Sequence, residues 1–242
     1  MPRPAEAVAD RAAFFDVDGT LITTTSLFRF LDHDLAVRGQ PERRHHDAMA
    51  ALDRLKAGGA TREQANRAFY RNFAGRSVAE LADEGKRWFA AANAAGGLFH
   101  PDVLARLRAH SDNGEVVVLL SASFPACVDP IAGFVGADLV VCTELEQVGG
   151  FYTGEVERSM VGAHKARAIH DLAVRLDLDL DGSYAYGDDS SDLAALTSVG
   201  RPVVVGDDPV LVAHATRHGW ARVPAVAKPQ PLTASAAPPG RI

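Results

Sequence analysis

Apolar residues gather in five short runs: AAFFDV (12–17), VVVLLS (116–121), LVVC (139–142), YAYG (184–187) and PVVV (202–205). Near-continuous apolar runs of this length, rich in Val, predict strands buried on both faces of a parallel sheet. Between them lies room for crossover helices over Pro101–His110, Pro125–Val135, Lys165–Leu176 and Asp192–Val199. Strands alternating with helices in this way predict an α/β fold with a doubly wound parallel sheet.

The first two runs are separated by far more chain than one crossover helix needs. Residues 26 to about 96 carry helical periodicity without a strand pattern. Thr61 followed by Gln64, and Ser77 followed by Glu80, fit the capping-box spacing and predict two helix starts. KAGGAT (56–61) and AAGGLF (94–99) read as loops. A bundle of about four helices inserted after the first strand follows. The expected division is a core over 1–21 and 98–224, a helical cap over 22–97 and a tail over 225–242. Gly149-Gly150 between β-prone arms predicts a hairpin within 143–158. The tail, rich in Pro, Ala and Ser with no apolar period, is expected to be disordered.

Composition narrows the class. With 47% hydrophobic and 23% charged residues, the 242-residue chain matches ordinary globular proteins. A net charge of -6 argues against a nucleic-acid binder, which needs a clustered basic face. Arg43, Arg44, His45 and His46 form one short basic cluster that reads as a solvated helix face. Cys127 and Cys142 have no CxxC spacing and flank apolar segments, so buried reduced thiols are expected. No apolar stretch reaches the ~18 residues of a membrane span, and the N-terminus lacks a signal-peptide apolar region. A cytoplasmic protein without stable membrane insertion is the expectation.

Ligands of open α/β sheets bind beyond the carboxyl ends of the strands. Those ends carry Asp16 and Asp18, then Ser121 and Ser123, then GDDSSD (187–192). An Asp-Gly turn explains Asp18 and Gly19 but leaves Asp16 without a reason. Residues i and i+2 of extended backbone point the same way, so two carboxylates would stand together, at a cost unless a cation or shared proton relieves them. Lys165, at the start of the helix before YAYG, brings positive charge to the same crevice. These types suit phosphoryl transfer: one carboxylate to attack phosphorus, a second to move the proton, hard oxygen ligands for Mg²⁺, and hydroxyls and a Lys for phosphate oxygens.

DVDGT, LLSAS, Lys165 and GDDSSD, in that order, resemble the four motifs of the haloacid dehalogenase (HAD) superfamily of aspartate-nucleophile phosphatases. The helical insert and the ending VGRPVVVGDDPVLVAHATRHGW are similar to its phosphoserine-phosphatase-like branch (subfamily IB). The resemblance implies a Rossmann-like core with a C1-type cap and Mg²⁺ as cofactor. It implies Asp16 as nucleophile, Asp18 as general acid and base, and Asp16, Asp188 and the Asp18 carbonyl on the metal. Ser121 and Lys165 would hold the phosphoryl group, with Ser123 and Thr20 near it; Gly187 and Asp192 would support Lys165 or metal-bound water. Phosphoserine phosphatases carry a glutamate nine residues after the nucleophile, where this chain has Thr25, which argues against phosphoserine itself. Arg67 falls where that branch places a carboxylate-binding arginine. His164 reads as surface or as a neighbour of the site, and Arg29, Phe30 and His33 as core or solvent-facing rather than pocket residues.

The expected activity is hydrolysis of a small phosphorylated metabolite through an aspartyl-phosphate. A phosphotransferase would use the same residues. A lysophospholipid phosphatase is a further alternative that the branch suggests, weakened because the chain shows no transmembrane segment and no evident basic amphipathic helix. A non-catalytic binding protein would lack one of the chemical groups, and all are present.

Overall fold

Alternate residues of a strand face opposite sides of a sheet, and here both sides are covered. A computed structural model describes residues 10–40 and 42–226. Six strands, β1 (Ala12–Asp16), β2 (Val116–Ser121), β3 (Leu139–Cys142), β6 (Tyr184–Gly187), β7 (Arg201–Val205) and β8 (Ala221–Val223), form one parallel sheet in the order β3-β2-β1-β6-β7-β8. Phe14, Val118 and Leu120 pack on one face with Ile169, Leu172 and Leu211. Phe15, Val117 and Leu119 face the other side, where their cluster runs on into the inserted helices. The expected α/β architecture holds. β8, three residues of which two are exposed, is a strand that no apolar run announces.

The chain leaves β1 for β2 on one side of the sheet and later returns to β6 on the other. The carboxyl end of β1 is thus a switch point, where the crossovers diverge and leave a crevice. Helices α5 (Pro101–Asp112), α6 (Pro125–Val135), α7 (Ala163–Leu176), α8 (Leu193–Leu196) and α9 (Pro209–His218) flank the sheet. The expected hairpin is β4 (Glu144–Val148) with β5 (Phe151–Arg158).

Four helices make the insert: α1 (Ser26–Val37), α2 (Arg43–Ala57), α3 (Arg62–Tyr70) and α4 (Val78–Ala94). Thr61 and Ser77 cap α3 and α4, with the full reciprocal box at Thr61 and Gln64. Phe124, between β2 and α6, joins the two parts: its ring lies 5.0 Å from Phe73, 5.6 Å from Tyr70 and 5.7 Å from Phe30. The hairpin braces the cap through backbone bonds, Gly75 donating to Tyr152 at 2.7 Å and Tyr152 to Arg76 at 2.9 Å. Phe30 is therefore core, as expected. Cys127 and Cys142 are free, buried thiols. Beyond Val226 the expected tail lies outside the described residues, as do residues 1–9. No helix among the described residues is long and apolar enough to cross a membrane.

Candidate active site

A cleft of about 770 Å³ opens over the carboxyl end of β1, between the sheet and the cap. Asp16, the last residue of β1, is buried at its base. Lys165, on the first turn of α7, reaches it: Nζ lies 2.5 Å from Asp16 Oδ1 and 2.6 Å from Asp192 Oδ1. Burial works against the Lys165 charge, but Asp16 and then Asp192 outweigh it and raise its pKa above the ordinary lysine value. One ammonium thus bridges two carboxylates, a buried network whose members need one another.

Val17 leaves the strand, and the chain doubles back so that Gly19 N–H donates to the Ile22 carbonyl at 2.9 Å. The two carboxylates are held by different partners, Asp16 by Lys165 and Asp18 by Ser26 and Ser123. Asp18 Oδ1 accepts from the Ser26 N–H at 2.9 Å, and Oδ2 accepts from Ser123 Oγ at 2.8 Å. Thr25, at the N-terminus of α1, makes no capping bond with its side chain, so Asp18 satisfies an orphan donor of that helix. Burial nonetheless raises the Asp18 pKa, against the bonds from Ser26 and Ser123. The Ser26 and Ser123 hydroxyls are themselves 2.8 Å apart.

Asp188 enters from the end of β6. Thr20 Oγ1 donates to Asp188 Oδ1 at 2.8 Å, so Thr20 holds this acid rather than Asp16. Gly19 permits the approach twice over: its φ is +93°, and a Cβ there would lie 2.1 Å from Asp188 Oδ2. Gly187 likewise leaves room for Asp192, whose Cβ would stand 2.6 Å from a side chain at that position. Desolvation, with repulsion from Asp16 and Asp192, pushes the Asp188 carboxyl up to about 8. Single carboxylate oxygens of Asp16, Asp188 and Asp192 lie within 4.8 Å of one another. Three hard oxygen donors in that space, with more negative charge than Lys165 alone balances, fit a small divalent cation.

Ser121, at the end of β2, is fully buried, and its Oγ accepts from the Ser123 N–H at 3.0 Å. Ala122 and Ser123, the next residues, line the cleft. Arg67 does not line it. Its guanidinium donates to Glu63 and to the Val156 carbonyl at 2.9 Å, on the hairpin side of α3. Arg62, five residues earlier on the same helix, does reach the site, paired with Asp189 at 2.6 Å. On α3, Arg62, Ala65, Asn66 and Phe69 line the cleft at i, i+3, i+4 and i+7, one helical face, from which Arg67 is turned away. The Thr61 cap marks where that face begins. Asp189 sits against a burial cost that the Ser191 N–H and Arg62 overcome, which lowers its pKa. Arg29 lines the cleft after all, whereas His33 is bound to Glu84 and His164 faces Glu63.

A buried Asp16–Lys165–Asp192 bridge at a switch point, with Asp18 anchored separately and Asp188 beside them, brings four aspartates together under a helical cap. Residues 13–197 match the haloacid dehalogenase-like hydrolase family, and the chain belongs to it. It is 35% identical over 219 residues to the inhibition of morphological differentiation protein of Streptomyces azureus, covering 86% of this chain and 76% of that one. To the phosphoserine phosphatase SerB1 of Mycobacterium tuberculosis it is 31% identical over 249 residues, covering 91% and 75%. Among solved structures, a Bordetella pertussis Tohama I protein of unknown function superposes with a TM-score of 0.76 at 27% identity, over 89% of this chain and 98% of that one. A phospho-aspartyl intermediate analogue of phosphoserine phosphatase shares the fold, with a TM-score of 0.62 at 17% identity over 85% and 90%.

Proposed function

We propose that this hydrolase is a Mg²⁺-dependent phosphomonoesterase acting on a small phosphorylated metabolite, with Asp16 as nucleophile and Asp18 as general acid and base. The observation that carries the reading is the pair of environments given to the two aspartates. Asp16 is paired with a buried ammonium at the base of the cleft, which fixes the position of the oxygen that would attack. Asp18 is desolvated, which raises its pKa against the bonds from Ser26 and Ser123, and a carboxyl shifted in that direction suits proton transfer to a leaving oxygen.

In the first step a bond forms between a carboxylate oxygen of Asp16 and phosphorus, while the ester bond breaks and Asp18 gives its proton to the departing alkoxide. In the second, Asp18 takes a proton from water as that water attacks phosphorus, and the bond to Asp16 breaks. Lys165 and the Ser121 hydroxyl are the groups assigned to the phosphoryl oxygens. Asp16, Asp188 and the Asp18 carbonyl would hold Mg²⁺, which when bound supplies positive charge for the phosphate. Asp192 positions Lys165, as its 2.6 Å bond supports, and the cap limits access of water to the cleft.

Phosphate release from p-nitrophenyl phosphate and from a metabolite panel, with Mg²⁺ and with EDTA, tests the reading. Metal-dependent turnover that Asp16→Asn abolishes in a normally folded protein is expected. Full activity of Asp16→Asn would overturn it.

A further inference from the structure

Asp18 lines the cleft half-buried, and its two carboxyl oxygens are bonded to different parts of the molecule. Oδ1 accepts the backbone N–H of Ser26, the first residue of cap helix α1, at 2.9 Å. Oδ2 accepts the hydroxyl of Ser123, in the core loop after β2, at 2.8 Å. The last torsion of an aspartate is soft, so one bond alone would let the carboxyl swing. Two bonds from separate elements fix its plane.

The Ser123 end of this clamp is rigid. Its N–H donates to Ser121 Oγ at 3.0 Å, and its carbonyl accepts from the Thr143 N–H at 3.0 Å. Its side chain is buried, and Ser26 Oγ, also buried, stands 2.8 Å from Ser123 Oγ. A hydroxyl carries one donor and two acceptor sites. Ser123 can therefore donate to an ionised Asp18 while accepting from Ser26, and can turn to accept from Asp18 when that carboxyl carries a proton. An alanine there could do neither, and Oδ2 would lose the donor that aims it.

Resting on the assignment of Asp18 as general acid and base, we propose that Ser123 is a positioning residue for the reaction. It holds the Asp18 carboxyl in the plane from which the proton passes to the leaving oxygen, and the Ser26 hydroxyl steadies it. Ser123 thus acts through Asp18 and not on the phosphoryl group.

The test uses two aryl phosphates of nearly the same shape, p-nitrophenyl phosphate and phenyl phosphate, with Mg²⁺. Nitrophenolate departs with little help from an acid, whereas the more basic phenolate gains from a proton delivered as the bond breaks. The readout is the ratio of kcat/KM on phenyl phosphate to kcat/KM on p-nitrophenyl phosphate, which a merely structural loss would leave unchanged. General acid catalysis contributes roughly 100- to 10,000-fold, and a displacement of about 1 Å can remove about 100-fold. Ser123→Ala should accordingly lower the ratio by roughly 10-fold or more. Asp18→Asn should lower it at least as far, and Ser123→Ala added to Asp18→Asn should lower it no further, because the serine acts only through that carboxyl. Ser26→Ala keeps both bonds to Asp18 and should shift the ratio the same way by a smaller factor. An unchanged ratio in Ser123→Ala, or in Ser26→Ala should Ser123→Ala not fold, overturns the proposal. So does a further fall in the double variant. A ratio that Asp18→Asn leaves unchanged would instead sink Asp18 as the acid, and absence of any p-nitrophenyl phosphate turnover the phosphomonoesterase reading itself.

Discussion

Gly85→Ala should destabilise the protein, although on an exposed helix the same change stabilises by up to about 1 kcal/mol. Gly85 lies in the middle of α4, where the cap docks on α6, and a Cβ there would sit 1.8 Å from the Ala126 carbonyl oxygen. Ordinary contact begins at 3.4 Å, so the helices must part by about 1.6 Å. The obstacle is backbone, which cannot swing aside as a side chain would. Parting loosens Leu81, Trp88 and Phe89, the apolar residues that α4 buries. Overpacking of this kind costs about 1–3 kcal/mol, and a rigid obstacle belongs at the upper end. Set against the gain in helix propensity, the net loss is about 2 kcal/mol, or about 4–8 °C in Tm for a domain of this size. Thermal unfolding followed by circular dichroism measures it. A Tm at or above wild type would refute the close packing of cap on core.

Lys165→Met leaves Asp16 and Asp192 buried without their shared cation; it should abolish activity and cost about 3–5 kcal/mol in urea unfolding with EDTA, and unchanged stability would count against the bridge. Arg62→Ala removes a pair that is half exposed, so it should change stability by less than about 1 kcal/mol while raising KM; a large drop in Tm with KM unchanged would make Arg62 a purely structural tie. Burial pushes the Cys142 thiol up to about 12 and also raises the Cys127 thiol well above its ordinary value. At pH 8 both are protonated, so the native protein should react slowly with a thiol-specific disulfide reagent and show two thiols once unfolded; rapid native reaction would contradict the burial.

The strands β1, β2, β3, β6 and β7 were legible because burial on both faces leaves unbroken apolar runs. β8 was not, since it is a short edge strand with mostly exposed side chains. The cap helices announced themselves through Thr61 and Ser77, whose capping follows from local spacing. Asp16, Asp188 and Asp192, just beyond strand ends, and Lys165, at the start of α7, are brought together by the sheet order, which the motif order already encodes. What could not be read is how the cap packs on the core. Arg67 lies one residue, about 100° of helix, from the face that holds Asn66, and it turns to the hairpin. Ser26 and Asn66 gain their roles only from contacts across the chain, to Asp18 and Ala122. Thr20 binding Asp188 likewise depends on the turn at Gly19.

The nucleophile is tested most directly by trapping it. Enzyme turning over p-nitrophenyl phosphate with Mg²⁺ is quenched with borohydride, which reduces an aspartyl-phosphate to homoserine, and the peptide spanning Phe14–Ile22 is sequenced by mass spectrometry. Homoserine at position 16, absent without substrate and absent in Asp16→Asn, is the predicted result. Reduction at another carboxylate, or active enzyme that yields no reduced residue at steady state and at early burst times, would contradict Asp16 as the attacking group.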